Sequence, residues 1–138
     1  LTFLAAVALV ALTVAGPVTG QITKGKERPL MTKQLMGGLV APNCGALAKG
    51  LKAGPADDKA WAALATNAAL LNEASYILMA DGRCPDGVWA GAATGTLRGC
   101  SANLLEKIAD HDLEGANAAF KAMTGACGAC HTKHKKKG

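Results

Sequence analysis

Apolar residues recur every three or four positions over four long stretches of this chain, and that spacing most limits the folds it can adopt. Such spacing places apolar side chains along one side of an α-helix. No stretch alternates apolar and polar residues over the length of a strand, and alanine is abundant after residue 41. The pattern predicts an all-α protein.

The first two predicted helices cover about 31–52 and 58–79. In the first, two glycines followed by Pro42 predict a kink or break at 41–43, because proline cannot donate a helical hydrogen bond. The second follows a Gly-Pro pair and is capped by Asp57 or Asp58.

The third predicted helix starts at Pro85, a favoured first helical residue, and runs to about 109. The fourth starts near Asp112, and its apolar seam begins at Leu113. Short connections between four amphipathic helices of about 20 residues each favour an antiparallel up-down-up-down four-helix bundle.

Residues 1–20 differ from the rest of the chain, since they carry no charge and their apolar run covers about 1–15. That run is shorter than the roughly 20 residues of a membrane span. It is typical of a secretory signal, with removal after Gly20. We expect an exported chain with no stable membrane span, an irregular arm at 21–30 and a folded domain at 31–138. Export lets disulfides persist.

The formal net charge of the chain is +5, and much of it lies in a C-terminal tail with lysines at 133, 135, 136 and 137. A basic surface favours acidic partners. Nucleic acid is disfavoured as a partner because the basic tail is short, aromatic residues make up 4% of the chain, and export removes the usual partner.

The stretch that closes the fourth helix reads Cys127-Gly128-Ala129-Cys130-His131. A Cys-x-x-Cys-His run is the attachment signature of c-type haem. Two cysteines at this spacing match the two vinyl groups with which they form thioethers, and the following histidine reaches the iron. The motif predicts one covalent haem, held by Cys127 and Cys130 with His131 as proximal ligand.

Three other readings of the motif remain open. A thioredoxin-like dithiol uses Cys-x-x-Cys, but near a βαβ pattern, and none is predicted here. A tetrahedral zinc site would take Cys127, Cys130, His131 and His134. The third reading is a local disulfide between the two cysteines.

A four-helix bundle with "CGACHTKHKK" near the end of its last helix resembles the class II c-type cytochromes, the cytochrome c-prime family. The resemblance covers most of 31–137. It implies an exported bacterial protein of the periplasm that transfers electrons to and from redox partners and is not an enzyme. The basic tail would steer partners with an acidic docking surface.

The resemblance also implies that the start of the first helix lies over the distal face of the haem. A methionine there gives a six-coordinate electron carrier, whereas leucine or phenylalanine leaves a five-coordinate iron that binds nitric oxide or carbon monoxide. In "RPLMTKQLMGGLV" the distal ligand is Met36, with Met31 as the alternative, and Lys33 ranks below both. The competing interpretation is that Met36 only fills the core.

The remaining histidines and Arg28 receive minor roles. His134 is expected to be exposed rather than to support His131. His111 lies in the connection between the third and fourth helices, far from the haem end. Arg28 would pair with a haem propionate if the arm folds back.

Three cysteines lie outside the motif. Cys44 and Cys100 have inward positions at similar heights, so either a disulfide between them or two small buried side chains fits the pattern. Cys84 precedes the third helix and is interpreted as free, as capping that helix, or as linking a homodimer.

Overall fold

The computed structural model describes residues 26–135, apart from the side chain of Ala126. This part of the chain forms four helices and no strand, which confirms the all-α four-helix fold. The predicted signal at 1–20, the start of the arm at 21–25 and the last three residues lie outside the described residues. None of the helices in 26–135 is long and apolar enough to cross a membrane.

The second and fourth helices are regular, whereas the first and third each contain a π-helical segment. The second helix is Asp58–Met79 and the fourth is Leu113–His134. The first helix consists, in order, of Thr32–Leu35, the π-helical Met36–Val40, and Ala41–Ala53. The third consists of Gly87–Ala90, the π-helical Gly91–Arg98, and Gly99–Ala109.

The predicted break at 41–43 is wrong, because the first helix continues through it. Pro42 lies in the first turn of Ala41–Ala53, directly after the π-helical segment. A proline there costs little, since amide groups at the start of an α-helical segment lack the regular i−4 partner. The irregularity falls instead at Met36–Val40, which contains the two glycines.

Three aspartates begin three of the helices. Asp57, Asp86 and Asp112 each accept a hydrogen bond from the backbone N–H three residues on, at 2.8, 3.0 and 2.8 Å. The third helix therefore begins at Gly87 with Asp86 as its cap, and not at Pro85. The caps Asp57 and Asp112 were among those expected from the sequence.

The core runs the length of the bundle and is almost wholly aliphatic. Inward residues of the second helix recur every three or four positions from Trp61 to Leu78 and are buried. Leu71 and Ser75 among them are fully excluded from solvent. In the fourth helix the predicted inward position Leu113 is wrong, because this residue is 36% exposed. It is the first residue of its helix, so no preceding turn covers it.

The described part of the arm, 26–30, folds back onto the turn between the second and third helices. Asp81 accepts hydrogen bonds from the backbone N–H groups of Glu27 and Arg28, each at 3.0 Å. The buried guanidinium of Arg83 donates to the carbonyl of Leu30 at 2.7 Å. The arm is irregular in conformation and fixed in place just before the first helix.

Candidate functional site

A cleft opens at one end of the bundle, and all four helices contribute to its walls. It encloses about 470 Å³ of atom-free space, including the part open to solvent. Its lining comes from the first helix (Met36, Val40), the second (Leu78), the third (Trp89, Ala92, Ala93, Leu97) and the fourth (Cys127, Cys130, His131). The early parts of the first and third helices thus meet the late parts of the others. This is consistent with antiparallel neighbours, which remain a prediction.

The three motif residues line this cleft from the fourth helix. Cys127 and Cys130 are three residues apart and half-buried, so they share one face of the helix. The thiol of Cys127 donates to the carbonyl of Met123 at 3.5 Å, one turn earlier. His131 follows directly and is exposed at the mouth of the cleft.

Met36 lines the same cleft from the first helix, and Met31 does not. Met36 is the first residue of the π-helical segment and is half-buried. Met31 caps the helix, and its backbone N–H donates to Oε1 of Gln34 at 2.9 Å. Lys33 is exposed. Of the two methionines considered in the sequence, Met36 is the one brought together with the motif.

Burial raises the pKa of both motif thiols above the ordinary value of 9.0. The second largest influence on Cys130 is the neighbouring Cys127, which raises its pKa further. Reactive dithiols of the thioredoxin type have a lowered thiol pKa instead. Neither motif thiol has the lowered pKa of such dithiols.

All five cysteines are free thiols, so neither the Cys44–Cys100 pair nor the motif pair is joined in this structure. Burial raises the pKa of Cys44, and Cys127 is close enough to raise it further. Cys84 lies before the third helix, where its thiol donates to the carbonyl of Asp86 at 3.4 Å. Asp86, and not Cys84, accepts the N–H that caps this helix, so the capping interpretation of Cys84 is wrong.

The prediction that His134 is exposed is wrong, since the residue is only 8% exposed. It follows Cys127 by seven residues and Cys130 by four, so helical spacing carries it to the same inward face. Its ring meets Trp89 edge-on at 5.4 Å between centroids. Its Nε2 lies 3.3 Å from Oδ1 of Asp86, within ion-pair distance but not aligned as a hydrogen bond.

This position of His134 also bears on the zinc hypothesis. A zinc site would need His134 beside the two motif thiols, whereas its ring lies against Trp89 and Asp86. Within residues 26–135, no group of three His, Cys, Asp or Glu side chains is placed to hold a metal ion. A site with two axial ligands from separate helices does not require such a group.

The residues of the cleft suit a flat, largely apolar group with two covalent anchors. Its walls are aliphatic or aromatic, and the alanines at 92 and 93 leave room for a ring. The indole N–H of Trp89 already donates to the carbonyl of Leu78 at 2.8 Å. The remaining donor atoms are two thiols, one imidazole and one thioether, the set expected for c-type haem with histidine and methionine ligands.

Sequence reasoning named Met36, Cys127, Cys130 and His131 as site residues and missed the six other wall residues of the cleft and its neighbour Asp86. Four of the missed wall residues, including Trp89, come from the third helix. Asp86 carried a signal in "CPDGVW", since an aspartate three residues before a tryptophan is a helix-cap pattern. The ion pair of Asp86 with Lys133 had no such local signal, because the two residues are far apart in sequence.

His111 lies in the connection where the sequence placed it, whereas the pairing of Arg28 with a haem propionate stays a prediction. His111 is exposed in the connection between the third and fourth helices and stacks on Trp61 with ring centroids 4.8 Å apart. It is not among the residues that line the cleft. Arg28 is exposed on the folded-back arm, where its backbone is bound by Asp81.

The carboxylate of Asp86 gives a pH-dependent contribution to stability. Lys133, at 2.6 Å, and then the backbone N–H of Trp89 lower the pKa of Asp86 from 3.8 to about 2. A carboxylate with a lowered folded pKa stabilises the fold above its unfolded pKa and loses that contribution as the pH falls. The contribution is therefore complete above pH 3.8 and is lost as the pH falls towards about 2.

We expect the difference in free energy of unfolding between wild type and Asp86→Asn to be constant above about pH 4 and to shrink towards pH 2. Urea unfolding of both proteins at several pH values measures it, and the other carboxylates cancel in the difference. A difference that grows as the pH falls would contradict the assigned pairing.

Comparison of the chain with protein-family models, with curated proteins and with solved structures finds no match in any of the three. The resemblance to class II cytochromes therefore rests on the residues of this chain and on their arrangement.

Proposed function

We propose that this protein is an exported c-type cytochrome that carries one haem and transfers single electrons. Cys127 and Cys130 hold the haem covalently, and His131 and Met36 are the axial ligands. One observation carries the proposal: the motif and Met36, from opposite ends of the chain, line one apolar cleft. The same placement suits the low-spin, methionine-ligated type of class II cytochrome.

Each residue of the cleft has a defined task in this proposal. Cys127 and Cys130 would hold the haem through two thioether bonds, each formed by addition of one S–H across one vinyl group. His131 supplies an imidazole nitrogen and Met36 a thioether sulfur, and this pair favours a high reduction potential. When bound, haem supplies an iron atom that takes up and releases one electron.

The surrounding wall excludes water from the inner side of the cleft. Leu78, Trp89 and Leu97 are each buried to at least 94%. Because protein interiors are close-packed, this wall moves little when the charge at the site changes. A rigid wall suits reversible electron transfer. Electron transfer needs no substrate pocket, so the protein is not an enzyme in this proposal.

The proposed partners are redox proteins with an acidic docking surface, encountered in the bacterial periplasm. Lys135 is exposed at the end of the fourth helix, near His131. Lys133 is half-exposed and paired with Asp86, so it contributes less free charge than the sequence implied. A homodimer linked through Cys84 is a further proposal. It would require this partly buried thiol to give up its hydrogen bond to the carbonyl of Asp86.

The alternative proposal is a five-coordinate haem protein that binds nitric oxide or carbon monoxide. It uses the same anchors and proximal ligand and differs only at Met36. The feature that favours it is the half-burial of Met36 beside Gly37 and Gly38, whose faces are open to solvent. A methionine that stays off the iron would leave that side of the cleft accessible.

The covalent attachment is tested by producing the protein with its export signal in a bacterium that attaches c-type haem. We expect wild type and Cys84→Ala to keep haem after denaturation, with one haem mass added to the chain. The double variant Cys127→Ala/Cys130→Ala is expected to lose all covalent haem, because no thiol faces the vinyl groups. Mass spectrometry and haem staining of denatured protein provide the measurement.

Cys84→Ala is the matched control because Cys84 is partly buried like the motif cysteines but lies outside the cleft. Wild-type protein without covalent haem would refute both haem proposals. Equal haem loss in the control and in the double variant would show that the motif is not the attachment point.

A further inference from the structure

A junction of four side chains lies beside the cleft and joins the start of the third helix to the end of the fourth. We call it the Asp86 junction, and it consists of Asp86, Trp89, Lys133 and His134. Oδ1 of Asp86 accepts the backbone N–H of Trp89 at 3.0 Å and lies 3.3 Å from Nε2 of His134. Oδ2 lies 2.6 Å from Nζ of Lys133.

The junction is buried on its inner side and open on its outer side. The side chains of His134 and Asp86 are 5% and 22% exposed, and that of Lys133 is 50% exposed. Trp89 is buried, and its indole N–H donates to the carbonyl of Leu78, which belongs to the second helix. Three helices therefore meet at side chains in or next to the wall of the cleft.

Asp86 and Asp112, the cap at the other end of the bundle, differ in the position of their lysine partner. Asp112 also caps a helix and pairs with a lysine, Lys107, at 3.6 Å. That lysine lies on the immediately preceding helix, only five residues away in sequence. Asp86 instead binds the last turn of the fourth helix, directly after His131.

We propose that Asp86 is a positioning residue that holds the last turn of the fourth helix, and with it His131, against the cleft. The inference rests on the proposed function, because it assigns Asp86 a role towards the proximal ligand. Lys133 and His134 follow His131 in the last turn of the fourth helix. Their ion-pair contacts with Asp86 fix the turn on which His131 is carried. The imidazole of His131 is exposed, and within residues 26–135 no hydrogen bond fixes its position.

The variant Asp86→Asn separates this role from capping. Asparagine caps a helix about as well as aspartate, so the hydrogen bond from Trp89 is kept. The charge that attracts Lys133 and His134 is lost. Lys133→Gln removes the same pairing from the other side, at a half-exposed position where the fold tolerates change. Asp112→Asn is the matched control.

The experiment compares the haem-loaded, full-length proteins by hydrogen exchange and by electron paramagnetic resonance of the ferric state. In Asp86→Asn and Lys133→Gln, amides at 131–135 are expected to exchange roughly two- to fivefold faster, as for loss of a partly exposed ion pair. The ferric signal, which depends on the orientation of the axial histidine, is expected to gain a second component. Asp112→Asn is expected to match wild type in both.

Unchanged exchange at 131–135 and an unchanged ferric signal in both variants would overturn the role of Asp86 while leaving the haem proposal intact. An equal effect of Asp112→Asn would also overturn it, because loss of any cap would then suffice. Wild type without haem would refute the proposed function, and with it the role towards His131, so the two failures are distinguishable.

Discussion

Met36→Ala is expected to turn the haem-loaded protein into one that binds carbon monoxide rapidly in the reduced state. Removing the thioether leaves the iron without its distal ligand and opens a space in the cleft wall where Met36 lies. The weak far-red absorption band of methionine-ligated ferric haem should disappear, and the reduced spectrum should become high-spin. Absorption spectra of both redox states, with and without carbon monoxide, measure these changes.

Two further variants separate ligation from packing. Met36→Leu keeps nearly the same volume, so a methionine that merely fills the core would leave the spectra unchanged. A ligand would give the five-coordinate spectra with leucine as well as with alanine. Met31→Ala is the matched control, because Met31 caps the helix and does not line the cleft.

A wild type that already binds carbon monoxide rapidly would contradict Met36 ligation and favour the gas-binding alternative. Loss of the far-red band in Met31→Ala, but not in Met36→Ala, would assign the ligand to Met31. The three variants therefore distinguish ligation by Met36, ligation by Met31 and a five-coordinate iron.

The helices could be predicted because their signals are local. The second helix is Asp58–Met79, as its spacing indicated, and its start carries both a Gly-Pro pair and the cap Asp57. The fourth follows Asp112 in the same way. Caps and periodicity act within a few residues of one another, so neither depends on which other helix lies nearby.

The wall of the cleft was harder to predict because it combines residues from all four helices. Periodicity indicates which side of a helix faces inward, but not which residues of another helix lie opposite. Glycines at 37 and 38 and Pro42 were correctly identified as irregular, but they indicated a break. The first helix absorbs the irregularity in a wider turn and remains continuous.

The Asp86 junction could not be predicted because its partners lie far apart in the chain. Nothing near Lys133 or His134 indicates that an aspartate from the second connection will reach them. Helical spacing after Cys127 and Cys130 places His134 on the inward face, but its contacts with Trp89 and Asp86 need the third helix in place. Ion pairs between distant segments depend on tertiary packing, whereas helix periodicity does not.

Leu71→Ala is expected to lower the free energy of unfolding by about 2–5 kcal/mol, the cost of a cavity at a fully buried leucine. Leu71 is 0% exposed in the middle of the second helix, and neighbours in the core surround it. The adjacent Leu70 is 37% exposed, so Leu70→Ala removes the same atoms from the same helix without a cavity. Leu70→Ala is expected to change the free energy of unfolding by no more than about 0.5 kcal/mol.

Urea unfolding of both variants and wild type, followed by far-ultraviolet circular dichroism, measures the difference. An equal loss of free energy of unfolding in Leu70→Ala and Leu71→Ala would contradict the inward direction of Leu71 and the helix register. The same register places Leu78, seven residues on, in the wall of the cleft. A large, selective effect at Leu71 would therefore support the position of Leu78 and, through its carbonyl, that of the Trp89 indole.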